Sequence, residues 1–184
     1  MRKVAMLGDS LMEYADRVSD WTRLVGIPDY EFKNFGIGGN TIEDVQKRLN
    51  PVIDYKPDIC FVEVGINNIY HGNPTTLDDL LDTTVLDILK VSIPVVVIQT
   101  LPLIRTTIIE RLQTCFPDCF FRNEKIVVYN EELRRLAKAE SYLLLDIEKL
   151  IDHNTMSDDG IHSNAIGYAV WGNAVKEFIE SHAI

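Results

Sequence analysis

The stretch Val4-Ala5-Met6-Leu7-Gly8-Asp9-Ser10-Leu11 is apolar through Leu7 and turns polar within three residues. A half-exposed strand alternates apolar and polar positions, so this continuous run reads as a strand covered on both faces. Gly8-Asp9-Ser10 then reads as the loop at its C-terminal end, with a helical stretch beginning at the serine.

Outward from this point the pattern recurs at Tyr30 to Phe35, Ile59 to Val64, Val95 to Thr100 and Tyr142 to Asp146. Helix-like segments separate these runs. Thr41-Ile42-Glu43-Asp44 opens one with the spacing of a capping box, and Leu77, Leu80, Leu81, Thr84 and Ile88 recur at helical intervals in the next. Ile126, Tyr129, Leu133 and Leu136 mark a third. Ile166, Val170, Ala174 and Phe178, after a start at Ser163 or Asn164, predict a last helix docked by that stripe. Strands alternating with helices predict an α/β fold, a central parallel sheet of about five strands between two helical layers. No linker, repeat or low-complexity tract interrupts it, so one domain over 1–184 is expected.

In such a fold right-handed crossovers carry every strand-to-helix loop to one edge of the sheet, where ligand sites form. Four loops at or beside that edge carry chemistry-bearing residues. Ser10 follows a strand, where it serves as a nucleophile or simply as a helix cap. Asn34-Phe35-Gly36-Ile37-Gly38-Gly39-Asn40-Thr41 supplies backbone N–H groups for an anion, or a tight turn. Its spacing is not that of a dinucleotide fingerprint. Gly65-Ile66-Asn67-Asn68 sets two amides at the sheet mouth, as oxyanion donors or as turn residues. Finally, Asp159 precedes His162 by three residues, a spacing that brings a carboxylate to one imidazole nitrogen while the other faces outward, or that merely caps a helix. Taken together the four supply a nucleophile, oxyanion donors, a base and an orienting acid.

Composition narrows the partners. The chain of 184 residues carries a net charge of −10 with a pI near 4.8 and no run of Lys or Arg. Nucleic acid and anionic membrane surfaces would be repelled, which favours a small neutral substrate. The apolar N-terminal run is far shorter than a signal core or a membrane span, so a cytoplasmic location is expected. Of the three cysteines, Cys60 reads as buried packing and Cys115 and Cys119 as free thiols. No metal-ligand cluster or cofactor motif appears, and chemistry without a cofactor is expected.

The four blocks together resemble the GDSL, or SGNH, hydrolases across nearly the whole chain. Gly8-Asp9-Ser10-Leu11 is similar to the family's first block, Asn34 to Thr41 to its glycine block, Gly65-Ile66-Asn67-Asn68 to its G-x-N-D block, and Asp159-Gly160-Ile161-His162 to its D-x-x-H block. The resemblance implies an SGNH hydrolase fold with the flavodoxin-like strand order 2-1-3-4-5. It implies that Ser10 attacks an ester, His162 moves the proton and Asp159 orients His162. It also implies an oxyanion hole made by the backbone N–H of Ser10 and of Gly39 and the side-chain amide of Asn67. Asn68 departs from the family's Asp, a change expected to affect loop bracing more than chemistry. Asp9 is expected to hold the turn.

The expected activity is hydrolysis of a small carboxylic ester through an acyl-enzyme. A carbohydrate O-acetylesterase would use the same residues, and a non-catalytic flavodoxin-like binding or interaction module is the alternative of another class. The segment 101–123, rich in Ile and Phe, reads as a cap beside Ser10, as a surface that pairs copies of the chain in a homo-oligomer, or as ordinary packing. His71 reads as a pocket residue or an exposed loop histidine.

Overall fold

The computed structural model describes residues 1–19, 26–72, 84–116 and 122–184. Five strands form one sheet: β1 (Arg2–Gly8), β2 (Tyr30–Gly36), β3 (Ile59–Val62), β4 (Val95–Gln99) and β5 (Leu143–Leu145). Their order is β2-β1-β3-β4-β5, and all four pairings are parallel. This is the α/β architecture and the 2-1-3-4-5 order expected from the sequence.

The helices are α1 (Ser10–Ser19), α2 (Ile42–Lys47), α3 (Leu49–Asp54), α4 (Ile66–His71), α5 (Thr84–Ser92), α6 (Thr106–Cys115), α7 (Asn123–Glu140) and α8 (Ala165–His182). α1 packs against α8, whereas α2 and α3 pack against α5, and α4 against α7. Right-handed crossovers account for this division, since the chain moves one way from β1 to β2 and the other way from β2 onward.

Why these segments form strands follows from where they lie. Val4 to Leu7 in β1 and Ile59 to Val62 in β3 are almost wholly shielded, as continuous apolar runs require. β2 is an edge strand, and there Glu31 and Lys33 face solvent between half-buried Phe32 and Asn34. Its alternation is the signature of partial cover. β3 ends two residues before the expected Val64, because the chain turns there into Gly65, whose φ of 115° only glycine adopts readily.

Thr41 caps α2, its hydroxyl accepting from the Asp44 N–H while the Asp44 carboxylate accepts from the Thr41 N–H, a full capping box. Asn164 caps α8 by accepting from the N–H groups of Ile166 and Gly167. The stripe expected on α8 needs correction. Ile166 is 64% exposed and Val170, Ala174 and Phe178 are only half-buried; the buried face is Tyr168, Trp171, Val175 and Ile179. Strict steps of four drift around a helix of 3.6 residues per turn, whereas steps of three, four and four stay on one face. α7 buries Ile126, Tyr129 and Leu133 as expected. Of the helix expected around Leu77 to Ile88, α5 covers Thr84 onward, and Leu77, Leu80 and Leu81 lie outside the described residues. Cys60 is buried in β3 and Cys115 exposed at the end of α6, while Cys119 falls outside the described residues. No helix among the described residues is long and apolar enough to cross a membrane.

Candidate active site

The C-terminal ends of β1 and β2 lie side by side, Gly8 opposite Gly36. Ser10 is the first residue of α1, in a turn fixed by Asp9, whose Oδ1 accepts the Leu11 N–H at 3.0 Å and whose carbonyl accepts the Glu13 N–H at 2.9 Å. That is the turn-holding role expected of Asp9. The glycine loop packs on α1 so closely that a Cβ on Gly36 would meet the Glu13 nitrogen at 2.4 Å.

Within this loop most N–H groups are committed. Gly36 donates to Asn34 Oδ1, Ile37 to the Gly8 carbonyl, Gly38 to Glu13 Oε2 at 2.6 Å, and Asn40 to the Ile37 carbonyl. Gly39, at φ 78° with open space around it, is left with an N–H that meets no partner among the described residues. The Ser10 N–H, at the head of a helix, is likewise unmet. Asn67 lines the same cavity as Ser10; its Nδ2 donates to the Asn40 carbonyl at 2.9 Å, and its side chain also lies beside the Asp9 carboxyl.

Asp159 and His162 arrive on a loop just before α8. Ser157 N–H donates to the His162 carbonyl at 2.8 Å, and Met156 bridges Ser163. Gly160 has φ 66°, and a Cβ there would lie 2.4 Å from Ile108 Cγ1. The Arg105 N–H holds the Gly160 carbonyl at 2.9 Å, so α6 and the residues before it press the loop into place.

The consequence is a continuous relay. His162 Nε2 lies 2.9 Å from Ser10 Oγ, and His162 Nδ1 lies 2.7 Å from Asp159 Oδ2. Partial burial works to raise the Asp159 carboxyl. Hydrogen bonds from Ser157 Oγ, His162 and the His162 and Ile161 N–H groups outweigh it and hold the group down at about 2. An ionised Asp159 only accepts, so Nδ1 carries the ring proton and Nε2 is free to accept from the Ser10 hydroxyl. Tyr14, one helical turn after Ser10, stacks on the imidazole with centroids 4.2 Å apart and planes within 16°.

Sequence reading passed over several of these neighbours. Arg48 ties the loops together, donating to Asn40 Oδ1, the Phe35 carbonyl and the Gly8 carbonyl at 2.5–2.7 Å. Glu63 is fully buried beside Asp9, and no hydrogen bond of good geometry reaches its carboxyl oxygens or Asp9 Oδ2. Burial pushes Asp9 up to about 7, against the Leu11 N–H and the charge of Arg48; burial, then the adjacent Asp9, raises Glu63 well above the usual range. A lone carboxylate inside the apolar run Ile59 to Val64 was the available signal. His71 is exposed at the end of α4 and stays out of the cavity wall, which Tyr70 supplies instead.

Asn68 does brace a loop. Its Oδ1 accepts the Ile42 N–H at 3.0 Å and its Nδ2 donates to Glu43 Oε2 at 3.0 Å, joining α4 to α2. Of the segment 101–123, Ile104 and Ile109 are core residues, Leu112 lines the cavity, Phe116 is 53% exposed, and Phe120 and Phe121 lie outside the described residues. No group of three or more potential metal ligands occurs among the described residues.

The chain is 25% identical over 170 residues to a multidomain esterase of Ruminococcus flavefaciens; the match covers 83% of this chain and 21% of that protein, so the chain spans about a fifth of the relative's length. A lipase/acylhydrolase from Enterococcus faecalis superposes with a TM-score of 0.77 at 22% identity, covering 99% of this chain and 97% of that one. An acetylxylan esterase from Geobacillus stearothermophilus gives 0.70 at 20% identity, covering 100% and 94%. At such identities these two likenesses show a shared fold. The family model of the GDSL-like Lipase/Acylhydrolase proteins matches residues 6–170, which spans every loop of the site, and the chain belongs to that family.

Proposed function

We propose that the protein hydrolyses a small carboxylic ester through an acyl-enzyme on Ser10. The relay from Ser10 Oγ through His162 to Asp159 carries this reading. In the proposed cycle Ser10 Oγ bonds to the ester carbonyl carbon as His162 Nε2 takes its proton. The oxyanion is met by the N–H groups of Ser10 and Gly39 and the Asn67 amide. His162 returns the proton to the departing alcohol, then takes one from the water that attacks the acyl carbon and delivers it to Ser10 Oγ as the acyl–oxygen bond breaks and the carboxylic acid leaves.

The cavity supports a short acyl group. It is a cleft of about 250 Å³, open to solvent, lined among the described residues by Ser10, Asn67 and His162 with Ile66, Tyr70, Leu112 and Ile161, none of them formally charged except when His162 is protonated. A sugar acetate is the second reading, favoured by the small volume. Release of acetate from acetylated sugars, compared with hydrolysis of aryl esters of rising chain length, separates the two. The decisive experiment is covalent labelling by a fluorophosphonate. Wild-type protein is expected to take the label on Ser10 and Ser10→Ala to take none; equal labelling of both removes the proposal.

A further inference from the structure

We propose that Tyr14 is a positioning residue for the base, a flat wall that fixes the plane of the His162 ring and stabilises its cationic form during proton transfer. The inference rests on the Ser10–His162 reading given above. Ser10 and Tyr14 are four residues apart on α1 and so share one face of that helix. One helical turn therefore places both the hydroxyl and the surface on which its base lies.

The two hydrogen bonds of His162 fix its nitrogens but leave the ring faces unconstrained. Tyr14 covers one of them, parallel within 16° at 4.2 Å, a separation at which an aromatic face attracts a cation. When Nε2 takes the Ser10 proton, the new positive charge spreads over a ring already seated against π electrons. Water is excluded from that face as well. Tyr14 lies outside the cavity lining and so acts on the base and not on the substrate.

The charged groups around this stack come from three directions. Asp159 faces His162 from the loop before α8, at Nδ1. On α1, Arg17 lies over the Tyr14 ring with its guanidinium carbon 5.1 Å from the centroid and pairs with Glu13, which in turn holds the Gly38 N–H. Asp9 and Glu63 lie behind Ser10 in the interior. The same helical turn thus links the wall behind the base to the glycine loop.

The test compares Tyr14→Phe, Tyr14→Leu and replacement by pentafluorophenylalanine, which keeps the ring's shape and reverses its face charge. Tyr14→Phe is expected to stay within about twofold of wild type. Tyr14→Leu is expected to lose about threefold to thirtyfold in kcat at unchanged KM. With Tyr14→Leu and the fluorinated ring, the acid limb of the kcat/KM profile should move to lower pH by about half a unit, since a cation less well stabilised gives up its proton more readily. A wall that only fills space would leave that limb in place. Should Tyr14→Leu fail to fold, the fluorinated ring carries the comparison alone. Unaltered kcat and pH profile in the fluorinated protein overturn the role of Tyr14 while inactive Ser10→Ala and His162→Ala keep the hydrolase reading. Full turnover in Ser10→Ala or His162→Ala overturns both.

Discussion

The imidazole Nε2 of His162 lies 2.9 Å from the hydroxyl of Ser10, although 152 residues separate them in the chain. The first belongs to the loop before α8 and the second to the head of α1, and these two helices pack against each other on one face of the sheet. Contact between α1 and α8 is therefore part of the site's architecture, reinforced where the Tyr168 hydroxyl donates to the Leu11 carbonyl at 2.9 Å.

Removal of the imidazole should strand the serine with no proton acceptor near neutral pH. His162→Ala is expected to lose about 10⁴-fold or more in kcat while keeping its fold. His153 and His182 are exposed; His153 gives the network its backbone carbonyl, which accepts from Arg105, and the His182 ring meets the Phe178 carbonyl, so His153→Ala and His182→Ala should stay within about twofold. Steady-state kinetics on an acetyl aryl ester, with circular dichroism as the folding control, decides it. Loss of turnover in His153→Ala with retention in His162→Ala would reverse the roles.

The oxyanion donors are separable by the same assay. Asn67→Ala removes one preorganised amide and is expected to lower kcat by about a hundredfold, with little change in KM, because the contact strengthens only as charge develops on the carbonyl oxygen. Undiminished kcat in that variant would exclude the Asn67 amide from the hole.

How much of this was legible in the sequence depended on whether a residue's partner is local. Asp159 with His162 and Thr41 with Asp44 are pairs three residues apart, so spacing alone exposes them. β1 and β3 announced themselves by continuous apolar character because they are covered on both faces. Glu63 and Arg48 did not, since their surroundings are assembled by sheet pairing between distant segments, and the stack of Tyr14 on His162 joins the two ends of the chain. The stripe on α8 was misplaced for a related reason: Trp171 and Tyr168 are buried through their fit to the core, where Trp171 Nε1 donates to Gln99 Oε1, and not through a repeat of four.

Asn68 stands where the family pattern has Asp, and its surroundings make the amide necessary. It accepts from Ile42 and donates to Glu43; a carboxylate could do only the first. Asn68→Asp would bring two carboxylates together at a site 2% exposed, with an expected loss of about 1–3 kcal/mol at pH 7. The loss should shrink in acid, where a protonated carboxyl can donate. Urea unfolding at pH 4.5 and 7.5 measures both. Equal stability of variant and wild type at pH 7.5 would mean that the bond to Glu43 contributes nothing.

Leu112 is the one residue of α6 that reaches the cavity wall. Shortening it opens the apolar end without touching the relay. Leu112→Ala is expected to raise kcat/KM for a hexanoyl ester relative to an acetyl ester by about tenfold, since one methylene in an apolar pocket is worth at least that much. An unchanged chain-length profile would place the acyl group elsewhere.

Two buried carboxyls behind Ser10 make stability depend on pH with a definite sign. Asp9 moves from 3.8 in the unfolded chain to about 7 in the fold, chiefly because burial disfavours its charged form, and Glu63 shifts upward with it. The folded protein therefore binds more protons than the unfolded one between about pH 4 and 7. The associated stability is fully present below pH 4 and is lost as the pH rises through 7, at up to about 1.4 kcal/mol per pH unit for each proton. Asp159, held at about 2, acts with the opposite sign and only below pH 4. Glu63→Gln removes one of the two buried acids and offers an N–H to Asp9 Oδ2, which no hydrogen bond of good geometry reaches. It should unfold at higher urea concentration than wild type at pH 8, with a flatter decline from pH 5 to 8. If the two proteins show the same slope across that range, Glu63 does not contribute to the pH dependence of stability.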